Sequence, residues 1–261
     1  MSEAPLVLTI DSGIARITLD RPDIGNALTN AASKKIGEAV DIIAADPSVR
    51  VLVLTGNGKM FSAGGDIREF VSTLDTLSDL IADELVYLNR TLLKMAALPF
   101  PVIAAINGPV AGGGIGLALT ADVTIGAESM RFRAGYAAIG LSPDAGTSYH
   151  LTRLIGPQRA KEFLFTNRFL DAPEALALGL VSKVVPDADL ARETDDLARK
   201  IAAMPPGALA AVKALVNESL TSTHAEILAR EREFMIANAA TSDAHEGIRA
   251  FIERRKPAFT H

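Results

Sequence analysis

The chain has 261 residues, a formal net charge of −5, 49% apolar and 22% charged residues, and no cysteine. That length suffices for one full core, or for one domain with an appendage, and the composition is that of a globular protein. Disulfides, thiolate metal sites and a cysteine nucleophile are excluded; the charge weighs against a broad nucleic-acid surface, and no apolar run reaches membrane-spanning length.

Met1–Pro5 carries an acid and no basic stretch, so no secretory leader is expected. With the missing cysteines, a reducing, cytoplasmic setting is expected. The four histidines, at 150, 224, 245 and 261, lack the spacing of a helical metal site, and no metal is expected.

Leu6–Asp11 and Ile14–Leu19 alternate apolar and polar residues around Asp11-Ser12-Gly13, which predicts a β-hairpin. Arg21 to Asn26 is a loop. Thr29 or Asn30 can cap a helix to about Ala45, with Ile36, Ala39, Val40 and Ile43 on one face. Val51–Thr55 is a continuous apolar run, as in a buried parallel strand, and a loop from Gly56 to Gly65 follows. Apolar residues at 77, 81, 85, 88, 92 and 95 form a helical stripe to about Ala97, ended by Pro99 and Pro101. Strands are predicted at 102–106, 123–125, 130–132 and 180–185, and helices at 113–120, 145–155, 157–165 and 172–178. After Pro186 the pattern is helical only, with breaks at Met204–Gly207 and near Ser222. Strands alternating with helices indicate an α/β class, with a core to residue 186 and a helical region over 187–261.

Two glycine-rich turns, Phe61-Ser62-Ala63-Gly64-Gly65-Asp66 and Ala111-Gly112-Gly113-Gly114-Ile115-Gly116, each follow a β-type run and precede a helical pattern. Two such turns can aim two backbone N–H groups at one oxygen, as an enzyme needs for an enolate or tetrahedral anion. Taken alone, the first reads as a turn whose Asp66 caps the next helix. The second is neither a dinucleotide fingerprint, since Leu117 stands at the third glycine position, nor a phosphate-binding P-loop. Asp144, in Leu141-Ser142-Pro143-Asp144-Ala145-Gly146, reads alone as a helix cap. Lodged near Tyr136 and the apolar residues Ala137, Ala138, Ile139 and Leu141, it would instead be a pocket acid that moves protons. Arg254-Arg255-Lys256 complements a helix C-terminus or meets a phosphate. No Gly-x-Ser-x-Gly elbow is present, which disfavours a serine hydrolase.

In order over the chain, Arg21-Pro22 with Asn26-Ala27-Leu28-Thr29, Phe61 to Ile67, Pro101 to Gly114 and Phe251 to Phe259 resemble the crotonase (enoyl-CoA hydratase/isomerase) superfamily. The resemblance implies a spiral of ββα repeats followed by helices that build a homotrimer, often paired into a hexamer. It implies an acyl-CoA thioester as substrate, with coenzyme A as part of that substrate and no permanently bound cofactor. The thioester oxygen would be held by the N–H groups of Gly65 and Gly113. Ala27 falls in the early CoA-contacting loop, Ala63, Asp66 and Ile67 lie near the adenine, and Lys256, from this subunit or a neighbour, lies near the phosphates.

The hydratases of that family carry two glutamates where this chain has Gly116 and Tyr136. Asp144 instead stands where family isomerases and aryl-CoA dehalogenases carry their acid, and the surrounding residues most resemble the phenylacetyl-CoA isomerase branch. The reading is therefore a double-bond isomerase with Asp144 as proton shuttle and Tyr136 lining the acyl pocket or hydrogen-bonding Asp144. The alternatives are a hydratase using Asp144 and an ordered water, an aryl-CoA dehalogenase, and a non-catalytic acyl-CoA-binding protein.

Overall fold

The computed structural model describes residues 4–259. Met1–Glu3, which begin the segment read for a leader, and residues 260 and 261 lie outside the described residues. Strands β1 (Leu6–Asp11) and β2 (Ile14–Leu19) form the expected antiparallel hairpin. Helix α1 (Asn30–Ala45) starts at Thr29, whose hydroxyl accepts the Ala32 N–H, and buries Ile36, Ala39, Val40 and Ile43. Strand β3 (Val51–Gly56) runs parallel to β2. After a short helix α2 (Ile67–Ser72) and the long helix α3 (Leu77–Ala96), strand β4 (Val102–Ile106) pairs parallel to β3. Strand β5 (Val110–Ala111), helix α4 (Gly113–Leu119), β6 (Val123–Ala127) and β7 (Arg131–Arg133) follow. The core closes with helix α5 (Thr147–Thr166), β8 (Phe169–Asp171), α6 (Ala172–Ala177) and β9 (Lys183–Val185).

Six strands form one sheet in the order β1-β2-β3-β4-β6-β9, and β5-β7-β8 form a second. The chain steps from the large sheet to the small one in successive turns. Strand β4 leads into β5, β6 leads into β7, and the segment after β3 makes a parallel bridge to the small sheet between Ser62 and Val110. Each step is followed by helix, which is the repeating ββα plan.

The middle strands are apolar on both faces because both faces are covered. Leu52, Leu54, Val102, Ala104 and Ile106 pack into the main core with α1 and α3. Val51, Val53 and Ile103 face the other way and meet Ala198 of helix α7 (Leu190–Ala202). Helix α7 thus lies beyond residue 186 yet completes the core of the sheet, and an Arg16–Asp195 ion pair ties it to β2.

Helices α8 (Pro206–Ser219), α9 (His224–Ala239) and α10 (Ser242–Glu253) follow. Lys213 of α8, 8% exposed at its side chain, reaches the Phe100 carbonyl and the Asp122 carboxylate, whose same oxygen accepts the Val102 N–H. No helix among the described residues is long and apolar enough to cross a membrane.

Some boundaries differ from expectation. Strand β9 is shorter than 180–185 because the Leu180 and Val181 N–H groups turn back onto the Ala175 carbonyl, closing α6. Helix α5 starts two residues late because Ala145 and Gly146 both take positive φ, and its two expected halves run as one element broken at Gly156 (φ +78°) before Pro157. The strands β5 and β8 and helix α2 are too short for periodicity to reveal.

Candidate active site

The two glycine turns meet because their parent strands are parallel neighbours. Beyond β3 and β4 the chains stay in register: Phe61 N–H donates to the Pro109 carbonyl at 3.1 Å and Ala111 N–H to the Ser62 carbonyl at 2.9 Å. The buried Ser62 hydroxyl donates to the Asn26 carbonyl and accepts the Gly64 N–H, which pins the first turn from inside. Gly64 sits at φ +81°, and a Cβ there would come within 2.7 Å of the Ala111 carbonyl oxygen. Only glycine satisfies both the backbone angle and that approach. The Gly65 and Gly113 N–H groups, one on each turn, have no hydrogen-bond partner among the described residues.

Both glycines line a cavity of about 390 Å³, whose walls include Ala63, Ile67, Phe70, Ile81, Glu84, Leu85, Tyr136 and Asp144. Asp144 is brought there by the loop before α5. Its side chain makes no cap bond, because Gly146 stands at the start of that helix. A Cβ built on Gly113 would lie 3.0 Å from Asp144 Oδ1, so the carboxylate rests against the second turn. Tyr136 is 7% exposed, and its hydroxyl donates to Asp144 Oδ1 at 2.7 Å with Thr147 Oγ1 3.1 Å away. Burial pushes the Asp144 carboxyl above its ordinary range, and the Tyr136 hydrogen bond pulls it part of the way back. The Tyr136 hydroxyl is itself driven up, by burial and then by the Asp144 charge, and stays protonated as a donor. One polarised carboxylate beside two free N–H groups can exchange a proton with a ligand whose oxygen those groups hold.

Not every expected residue is here. Ala27 is buried and does not line the cavity. Asp66 caps α2 through the Arg68 N–H, as the plain reading of that turn required, and does not line the cavity either. Lys256 is exposed and lies outside the cavity in this single chain.

Glu84 was missed by the sequence reading. It interrupts the apolar stripe of α3, three residues after Ile81 and four before Leu88, and an acid inside such a stripe is the signal that could have revealed it. Burial, then the charges of Glu69, Asp144 and Asp66, push its carboxyl up to about 7. His150, in contact with Thr120, is held down to about 4, by burial and then by Arg153, and does not line the cavity.

The sequence model described as enoyl-CoA hydratase/isomerase matches residues 9–261. The chain belongs to the enoyl-CoA hydratase/isomerase family. It is 36% identical over all 261 residues, and over the whole of the relative, to a Mycobacterium bovis protein named "Probable enoyl-CoA hydratase echA8". It is 33% identical to the 1,2-epoxyphenylacetyl-CoA isomerase of Escherichia coli, over 96% of each chain. The crystal structure of an enoyl-CoA hydratase from Polaromonas sp. JS666 superposes with a TM-score of 0.93 at 32% identity, covering 98% of this chain and 99% of that one. Hydratase names predominate among the relatives, with isomerases among them. The family membership makes this chain an acyl-CoA-processing enzyme.

Proposed function

We propose that the protein is an enoyl-CoA double-bond isomerase. The carrying observation is the Asp144 carboxylate lining the cavity against the Gly113 turn, with Tyr136 donating to it. The thioester oxygen of a 3-enoyl-CoA accepts the Gly65 and Gly113 N–H groups. Asp144 removes a proton from the carbon beside the carbonyl, and the electron pair moves into the thioester as a dienolate held by those donors. Asp144, its carboxyl proton exchanging with solvent in part before delivery, then gives a proton to the γ carbon, the double bond moves into conjugation, and the carboxylate is restored.

The residues at the two hydratase glutamate positions support this reading. Gly116 has no side chain, and the Tyr136 hydroxyl is occupied by Asp144. The relatives' names favour the second reading, a hydratase in which Asp144 directs a water onto a 2-enoyl-CoA. Incubation with 3-enoyl-CoA and with crotonyl-CoA in heavy water separates the two. The isomerase reading expects conjugated product with label at the α or γ carbon, and loss of roughly 10²–10⁴ in rate in Asp144→Asn. Rapid hydration of crotonyl-CoA that survives Asp144→Asn overturns it.

Apolar side chains left exposed on α8 to α10, Phe251 at 85% among them, support a homotrimer or hexamer in which Lys256 meets the phosphates of a neighbour's ligand. Sedimentation velocity reads the assembly, and Lys256→Ala reads the contact as a raised KM.

A further inference from the structure

Glu84 is a second carboxyl in the cavity wall, and the double-bond shift leaves it unused. The residue is 6% exposed and lines the cavity, and its oxygens, which accept no hydrogen bond among the described residues, are open to the water of the cavity. No lysine, arginine or histidine lines the cavity, and the charges it senses, from Glu69, Asp144 and Asp66, are all negative. The nearest lining residues on α3, Ile81 and Leu85, are apolar, with the amide of Asn89 one turn beyond Leu85. Buried polar groups in folded proteins are nearly always paired. A carboxyl in such a wall holds its proton more tightly than an exposed one, and the protonated form is a hydrogen-bond donor in search of an acceptor. In the free enzyme water can serve. A plain alkyl chain entering the cavity would displace that water and put nothing in its place.

We propose that Glu84 donates a hydrogen bond to an oxygen atom carried on the acyl chain, so that the cavity selects acyl-CoA thioesters bearing a hydroxyl, carbonyl or ether oxygen beyond the thioester over plain alkyl thioesters. The proposal rests on the acyl-CoA reading of the cavity and adds the class of acyl group. A site built to pair a ligand oxygen discriminates strongly against the analogue that lacks it, because its own buried group is then left unmade.

The test uses saturated thioesters, which cannot isomerise. Titration calorimetry compares an alkanoyl-CoA with counterparts of the same length that carry one hydroxyl at successive chain positions. At one position the hydroxylated thioester is expected to bind at least about tenfold more tightly than the alkanoyl-CoA. Glu84→Gln, which keeps a donor of similar shape, retains part of that preference, and Glu84→Leu brings the ratio to about one. The proposal is overturned if no position in the series binds more tightly than the alkyl parent, or if the preference survives Glu84→Leu. The wild-type series decides the matter should a variant fail to fold. Since no double bond is involved, failure of the isomerase reading leaves this comparison intact, and a flat affinity series leaves the isomerase assay intact.

Discussion

The carbonyl oxygen of Ala145 stands 1.9 Å from the point where a Cβ on Gly116 would sit. The loop that delivers Asp144 therefore occupies the space beside α4 that a side chain at 116 would need. A side chain at 116 and the backbone of that loop thus compete for one space.

Installing a glutamate at 116 is expected to damage the protein without creating a hydratase. Gly116→Glu must push backbone aside, at a cost above about 2 kcal/mol. Urea unfolding should show a lowered midpoint, and on the proposed mechanism turnover of enoyl-CoA should fall because Asp144 is displaced with its loop.

Tyr136→Phe removes the donor to Asp144. The hydrogen bond favours the charged carboxylate, so its loss raises the Asp144 pKa further. The base is then ionised only at higher pH, and the acid limb of the kcat/KM profile should move upward. Activity on that limb should drop at any fixed pH below the new midpoint. A profile that keeps its position would separate Tyr136 from the proton transfer.

Glu84 makes stability depend on pH. Its carboxyl is raised in the folded state from an ordinary 4.5 to about 7, so the folded protein binds the proton more tightly than the unfolded chain. The stabilisation is fully present below pH 4.5 and is lost as pH rises through about 7, by at most about 3 kcal/mol. Glu84→Gln has no proton to lose there. Its stability relative to wild type should climb between those limits in chemical denaturation measured at several pH values.

Lys213 holds α8 against the start of β4. Lys213→Met leaves Asp122 with its Val102 bond and no cation. With Asp122 partly exposed, a loss of about 1–3 kcal/mol is expected, read from urea denaturation.

Much of the fold could be read from the chain because its signals are local and repeated. The α1 face at 36, 39, 40 and 43 carries its own periodicity, and the unbroken apolar runs at β3 and β4 announce strands buried on both faces. The two-residue strand β5 carries none, since it exists only through pairing with β7 and Ser62. Asp144 drew notice by its neighbours, yet cap and pocket acid gave the same local sequence. Only the positive φ angles at Ala145 and Gly146, which turn the chain before the helix begins, separate the two. Glu84 shows in the sequence only as an acid beside an apolar stripe; its meaning depends on which wall α3 forms, and the stripe does not say what it faces.

The bridge between Ser62 and Val110 has a reach well outside the cavity. The gap between the two amide donors is inherited from the register of adjacent strands, not adjusted by flexible loops. A substitution deep among Leu52, Leu54, Val102 and Ala104 that slid one strand past the other would open or shut that aperture with every lining residue untouched. If those amides hold an anion as proposed, the interior of the sheet is the gauge that sets their grip, and catalytic defects should arise from positions no ligand ever meets.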